Sequence, residues 1–179
     1  MEPLERFVLQ HRSVGRDEFM RAHPFPVLLV RVPKGFAPDF GEFGTLSAVS
    51  ERPFESDPND MRLASKMEGL SVLIITKSAL NPPRDPVVLG RSHENDVVLP
   101  HKTVSRVHAR FEKKDDGTLF VTDLGSRNGT CVNDVRLEAQ RPVQLNSGDA
   151  AKFGAAATTF YLADSFAGYL GELLDTSSG

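Results

Sequence analysis

The sequence of 179 residues has a single cysteine, Cys131, so no intrachain disulfide framework can form, and no close group of Cys and His has the spacing of metal ligands. A reducing, cytoplasmic compartment is the expectation, with no metal and no cofactor. Charge of one sign is also scarce. A formal net charge of -3 creates no general field for nucleic acid or an anionic membrane, so any anion must be held by a local cluster. No stretch approaches the roughly 20 apolar residues of a membrane span. The opening Met1-Glu2-Pro3-Leu4-Glu5-Arg6 carries acids and leads into no apolar run, unlike a secretory signal. There is no internal repeat and no low-complexity tract. The 40% of hydrophobic residues is enough for one core with extensions.

Taken in order, the chain divides into four stretches. Residues 1–33 form a helix-helix-strand extension. Leu4, Phe7, Val8 and His11 fall at helical spacing, and Pro3 suits a first helical position. A second helix has Gly15 as N-cap, Glu18 at N3 and Val14 packing on Phe19, and it must stop before Pro24. Val27-Leu28-Leu29-Val30-Arg31-Val32 reads as a buried strand. Residues 34–65 lose periodicity and read as a linker rich in Pro, Gly and Phe, with Phe36, Phe40, Phe43 and Phe54 as anchors.

Residues 66–163 carry the rhythm of an all-β protein. Strands are predicted at Leu70–Thr76, Val87–Leu89, Val97–Leu99, Val107–Glu112, Leu119–Thr122, Thr130–Val132, Pro142–Leu145, Ala150–Phe153 and Thr158–Leu162. Turn chemistry separates them, as at Asp115-Asp116-Gly117, Asn128-Gly129, Asn133-Asp134 and Asn146-Ser147-Gly148-Asp149. Many short strands at close spacing mean a sandwich or barrel. Residues 164–179 return to a helix and a polar tail. Phe166, Tyr169, Leu170, Leu173 and Leu174 share a face that predicts docking on the sandwich.

Ser105, His108 and Asp123 are the residue types of a nucleophilic triad. In an extended strand, however, side chains three apart point to opposite faces, so His108 is not expected to take a proton from Ser105. No Gly-x-Ser-x-Gly elbow occurs, and neither a G-x-x-x-x-G-K-S/T nor a G-x-G-x-x-G phosphate loop. An enzyme is not expected.

Binding accounts better for the same residues. A phosphothreonine carries about -1.5 to -2 charge and three strong acceptor oxygens. Such an anion suits a planar cation, a hydroxyl and backbone amides. Arg91, after the Val87–Leu89 strand, offers a forked guanidinium, and Ser105 offers a hydroxyl beside the amide of Arg106. The carboxamide of Asn128 suits the main chain of an extended peptide, and Gly129 supplies the positive φ of such a turn. Taken alone, Asn-Gly equally marks a plain hairpin.

Leu89-Gly90-Arg91, then Ser105-Arg106-Val107-His108, then Asn128-Gly129-Thr130, in that order, resemble the forkhead-associated (FHA) domain over about residues 66–163. The resemblance implies a mainly β sandwich of about eleven strands whose loops at one end bind phosphothreonine peptides. It implies Arg91 and Ser105 as phosphate ligands, Asn128 as the peptide-backbone contact, and Arg106 and Arg127 beside the pocket. His108 is then a loop buttress, and Gly90 and Gly129 serve shape. One departure stands out: Arg127 occupies a place where the family often has Ser or Thr. It either clamps the phosphate more tightly or crowds the pocket for the threonine methyl, so phosphothreonine versus phosphoserine stays open. Lys102 and Thr103 are candidates for reading ligand side chains.

The expected function is therefore a phosphothreonine-dependent binding module in Ser/Thr-kinase signalling. Its partner is a Ser/Thr-phosphorylated protein, with no nucleic acid and no membrane, and with self-association possible through phosphorylated Thr45 or Thr176. The alternative is a phosphate-independent scaffold that uses the same sandwich with its linker or terminal helix.

Overall fold

Val27, Leu28, Leu29 and Val30 are all buried, and the reason is the position of their strand. In the computed structural model, which describes residues 1–32, 63, 65–79, 81–82 and 86–175, Val27–Arg31 is a central strand covered on both faces. Side chains alternate along a strand, so Leu28 and Val30 enter a core between two sheets, while Val27 and Leu29 enter a second core under helices. Such a strand reads as a continuous apolar run.

The strands are β1 (Glu2–Pro3), β2 (Val27–Arg31), β3 (Leu70–Ile74), β4 (Val87–Gly90), β5 (Val97–Val98), β6 (Ala109–Lys113), β7 (Leu119–Asp123), β8 (Thr130–Val132), β9 (Val135–Arg136), β10 (Val143–Leu145), β11 (Ala150–Phe153) and β12 (Ala156–Tyr161). They form a seven-stranded sheet in the order β1-β3-β2-β12-β11-β8-β9 and a five-stranded sheet in the order β10-β7-β6-β4-β5. The molecule is thus mainly β. Phe111, Phe153 and Phe160, each almost fully buried, fill the space between the sheets.

Helices α1 (Leu4–His11) and α2 (Arg16–Ala22) and the C-terminal helix (Ala163–Asp175) cover the outer face of the larger sheet at β2 and β3. Leu4, Phe7 and Val8 from α1, Phe19 from α2, and Phe166, Leu170 and Leu173 meet Val27, Leu29 and Val72 there, together with Leu63 and Met67. Helices of 7, 8 and 13 residues are marginal alone and hold through this packing. The exposed pair between Arg16 and Asp164 at 2.5 Å adds little by comparison.

Local expectations are corrected at three places. Pro3 is the N-cap of α1, with ψ 135°, and pairs with Ser71 as part of β1, because an extended ψ cannot start a helix. The strand expected from Val107 begins at Ala109, and residues 105–108 form a loop. Asn128-Gly129 is no hairpin, for it links β7 in one sheet to β8 in the other; Asn133-Asp134 does form a two-residue hairpin, where both φ values are positive, at 48° and 63°. The four phenylalanines of the linker, Phe36, Phe40, Phe43 and Phe54, and also Thr45 and Thr176, lie outside the described residues.

Strand β2 is hydrogen-bonded along both edges, to β3 and to β12. Leu28→Ala, at a side chain with 0% exposure, is expected to cost about 2–5 kcal/mol, read from urea unfolding. A change within experimental error would mean that β2 is not integral to the sandwich.

Candidate functional site

Loops leaving the sheets at one end are drawn together by polar side chains rather than by regular structure. Gly90 ends β4 where the backbone of Arg106 crosses it. A Cβ at Gly90 would lie 2.1 Å from the Arg106 carbonyl oxygen and 2.7 Å from Nδ2 of Asn95, so only glycine fits. Beyond it, the Arg91 amide donates to the Ser105 carbonyl at 3.0 Å and the Ser92 amide to the Arg106 carbonyl at 3.3 Å. Asn95, 6% exposed, closes this clamp by donating from Nδ2 to the Ser92 carbonyl at 2.8 Å and the Arg106 carbonyl at 2.6 Å.

His108, with 0% exposure, joins this clamp to the next loop. Its Nδ1 accepts the Ser105 N–H at 3.0 Å, and its Nε2 lies 3.2 Å from the Gly129 carbonyl. A carbonyl only accepts, so the proton sits on Nε2 and the ring is neutral. Burial lowers the imidazole pKa, opposed by Asp123 and by the bond to Gly129. Both nitrogens are committed to backbone groups, so His108 is no base for the Ser105 hydroxyl. Residues 105–108 are not in a strand, so it is these two bonds, and not opposite strand faces, that keep the imidazole from the hydroxyl.

Asp123 shapes the following loop. Its carboxylate accepts the amides of Gly125 and Ser126, each at 2.9 Å, and the hydroxyls of Ser126 and Thr130, each at 2.7 Å. Burial would raise this carboxyl, but those donors outweigh it and hold the pKa below the usual value. Ser126 Oγ in turn accepts the Gly129 N–H at 2.9 Å. The loop then presents Arg127 and Asn128. The Arg127 amide donates to Ser105 Oγ at 3.0 Å, and Asn128 Nδ2 donates to the Thr103 carbonyl at 2.7 Å. Gly129 takes φ +80°, as its turn requires.

The geometry thus brings Arg91, Ser105, Arg127 and Asn128 to one rim, joined through backbone or side-chain bonds. Arg106 and Lys102 are exposed beside them. Thr103 differs from its expected place as a reader of ligand side chains. Its hydroxyl accepts the Ala155 amide at 2.8 Å and lies 2.8 Å from His101 Nδ1, and its carbonyl holds Asn128. It ties three loops. Among the described residues, Arg91, Lys102, Arg106 and Arg127 form no ion pair, on a chain of net charge -3. Asn95 belongs to this construction and was not singled out from the sequence, because an asparagine in a turn looks the same whether it is solvated or structural.

A second carboxylate supports the loop from behind. Asp96, its side chain fully buried, accepts the amides of Val88 and Ser78, Nδ2 of Asn81 and Nζ of Lys77. Burial alone would raise its pKa, yet the four bonds bring it down to about 2.

These cationic, hydroxyl and carboxamide side chains stand together at one end of a two-sheet sandwich. The FHA domain model matches residues 87–154, and the chain carries an FHA domain over this segment. A homologue of a protein phosphatase 1 regulatory inhibitor subunit from Arabidopsis thaliana is 45% identical over 76 residues, 42% of this chain and 20% of that protein. An oxoglutarate dehydrogenase inhibitor from Corynebacterium diphtheriae is 42% identical over 71 residues, 40% of this chain and 47% of that protein. The chain therefore spans less than half the length of these relatives. Among solved structures, Mycobacterium tuberculosis EmbR in complex with a low-affinity phosphopeptide is 28% identical with a TM-score of 0.42, covering 53% of this chain and 22% of that one.

The lowered pKa of His108 has a signed consequence. Below the ordinary value of 6.5 the unfolded imidazole takes up a proton that the folded one refuses. Stability from this group is full above that value and is lost as pH falls toward the folded pKa. His23 and His101 are shifted in the same direction, so the share of His108 is what disappears on substitution. Urea unfolding of the ligand-free protein at about pH 7.5 and about pH 5 should show a larger loss in the wild type than in His108→Asn. Equal losses would show that the ring is not held neutral.

Proposed function

We propose that this protein is a phosphothreonine-dependent peptide- and protein-binding module that acts in Ser/Thr-kinase signalling. The observation that carries the reading is the state of Ser105. Its Oγ already accepts the Arg127 N–H, so its own proton is directed away from that bond and is available to an anion at the rim. Arg91 adds the forked cation, unpaired among the described residues. Asn128 spends one N–H on Thr103 and keeps Oδ1 for an N–H of a peptide main chain. Nothing in this set requires a base. The binding unit comprises residues 66–163 together with β2, with the helices as a rigid backing.

In this mechanism a kinase adds the charge to a partner, and fixed donors capture it reversibly. An unphosphorylated peptide is rejected because it leaves the guanidinium and the hydroxyl without a partner. Arg127 is a further cation at the phosphate, and phosphothreonine and phosphoserine peptides compared side by side read how much room it leaves for the methyl. Phosphorylated Thr45 or Thr176 would be a tethered ligand for the same pocket, with its effective concentration set by the connecting chain.

Calorimetric titration of an oriented-library phosphothreonine peptide should give a Kd on the order of 1 μM, with the bare peptide far weaker. Arg91→Ala and Ser105→Ala should each weaken binding by roughly ten- to a hundred-fold, the effect of about 1.5–3 kcal/mol for a hydrogen bond to a charged group. Equal affinity for phosphorylated and bare peptide would refute the proposal. Partner capture that survives phosphatase treatment would favour the scaffold alternative.

A further inference from the structure

Arg136 stands beside the rim without a part in the pocket described so far. It projects from β9, the short edge strand of the hairpin built on Asn133-Asp134. Its Nη1 donates to the Asn128 carbonyl at 3.1 Å. The guanidinium also lies over Gly129: a Cβ there would be 2.5 Å from Cζ and from Nη2, and 2.9 Å from Nη1. Gly129 therefore serves two ends, since it adopts a positive φ and leaves open the space in which the arginine rests. The side chain is exposed and, among the described residues, in no ion pair. A guanidinium carries five N–H donors in one plane, and the structure assigns one of them.

We propose that Arg136 is a specificity-determining residue that reads an acidic side chain of the bound peptide next to the backbone held by Asn128. This rests on the phosphopeptide reading above. The bond to the Asn128 carbonyl places the cation one peptide unit from the carboxamide that faces the ligand main chain. An extended peptide advances about 3.3 Å per residue, so the ligand residue at Asn128 and its immediate neighbours pass within reach of the free edge of the guanidinium. The fork is already tethered to the Asn128 carbonyl by one hydrogen bond, so less side-chain freedom is lost on pairing with a carboxylate than by an untethered arginine. Arg91 and Ser105 supply discrimination for the phosphate, whereas Arg136 supplies it for sequence context.

The test is a positional scan. Phosphothreonine peptides carrying Asp, Ala or Lys at each position within about three residues of the phosphothreonine are titrated against the wild type, Arg136→Gln and Arg136→Lys. The wild type should prefer Asp over Ala by about five-fold at one position, with Lys disfavoured there. That preference should vanish in Arg136→Gln, persist in part in Arg136→Lys, and leave affinity for the Ala peptide nearly unchanged. A wild type with no acidic preference at any position, or a preference that survives in Arg136→Gln, would overturn the inference. So would a uniform loss for all peptides in Arg136→Gln, which is the signature of an arginine that only positions Asn128. Failure of the phosphopeptide reading itself looks different: the wild type would not separate phosphorylated from bare peptide, and the inference would fall with it.

Discussion

One neutral imidazole sets the separation on which the rim depends. His108 accepts from the Ser105 amide on one side and donates to the Gly129 carbonyl on the other, inside a region closed to water. Two loops are thereby held at the width of a single ring. Because buried backbone groups must be paired, any movement of one loop against the other would leave an N–H or a C=O without a partner, at a cost of about 1–3 kcal/mol. Phe153 packs edge-on against the ring at a centroid distance of 5.7 Å and ties it to the core between the sheets.

The other loop constraints follow the same logic. Asn95 holds two carbonyls, Asp123 gathers four donors, and Thr103 joins the loops that contain Asn128 and Ala155. None of these bonds belongs to a helix or a sheet ladder. They compensate for the backbone pairing that a loop forgoes, and two of the rim side chains, Ser105 and Asn128, take part in them. A ligand that meets donors already in place loses less free energy to ordering the protein.

Rigidity at the rim also rests on the far side of the molecule. Strands β2 and β3 of the larger sheet are covered on both faces, by the smaller sheet and by the helices, so they cannot flex outward without exposing apolar surface. The packing of Phe7, Phe19 and Phe166 makes the N-terminal helices and the C-terminal helix a backing layer rather than appendages. The aromatic faces that gave these helices their pattern in the sequence are used against each other as well as against the sheet.

Much of this was legible in the residues themselves. Thr130–Val132 and Ala150–Phe153 were predicted with their observed bounds, and Gly15 as a cap and Asn133-Asp134 as a turn follow from the local preferences of a few neighbouring side chains. The two-residue strands β1 and β9 were not legible, since alternation cannot show itself over so short a length. Turn chemistry at Asn128-Gly129 was read correctly as a positive φ, yet the same letters serve a hairpin or a crossing between sheets. By itself the sequence determined where the chain turns, which strands are buried and which residue types suit an anion, because those properties belong to short stretches of chain. Only the tertiary structure decided that Arg91, Ser105 and Asn128 share a rim, that Thr103 bonds to Asn128 and Ala155, and that Arg136 rests on Gly129. Those contacts join residues far apart along the chain, and their geometry comes into being only when the two sheets close on their common core.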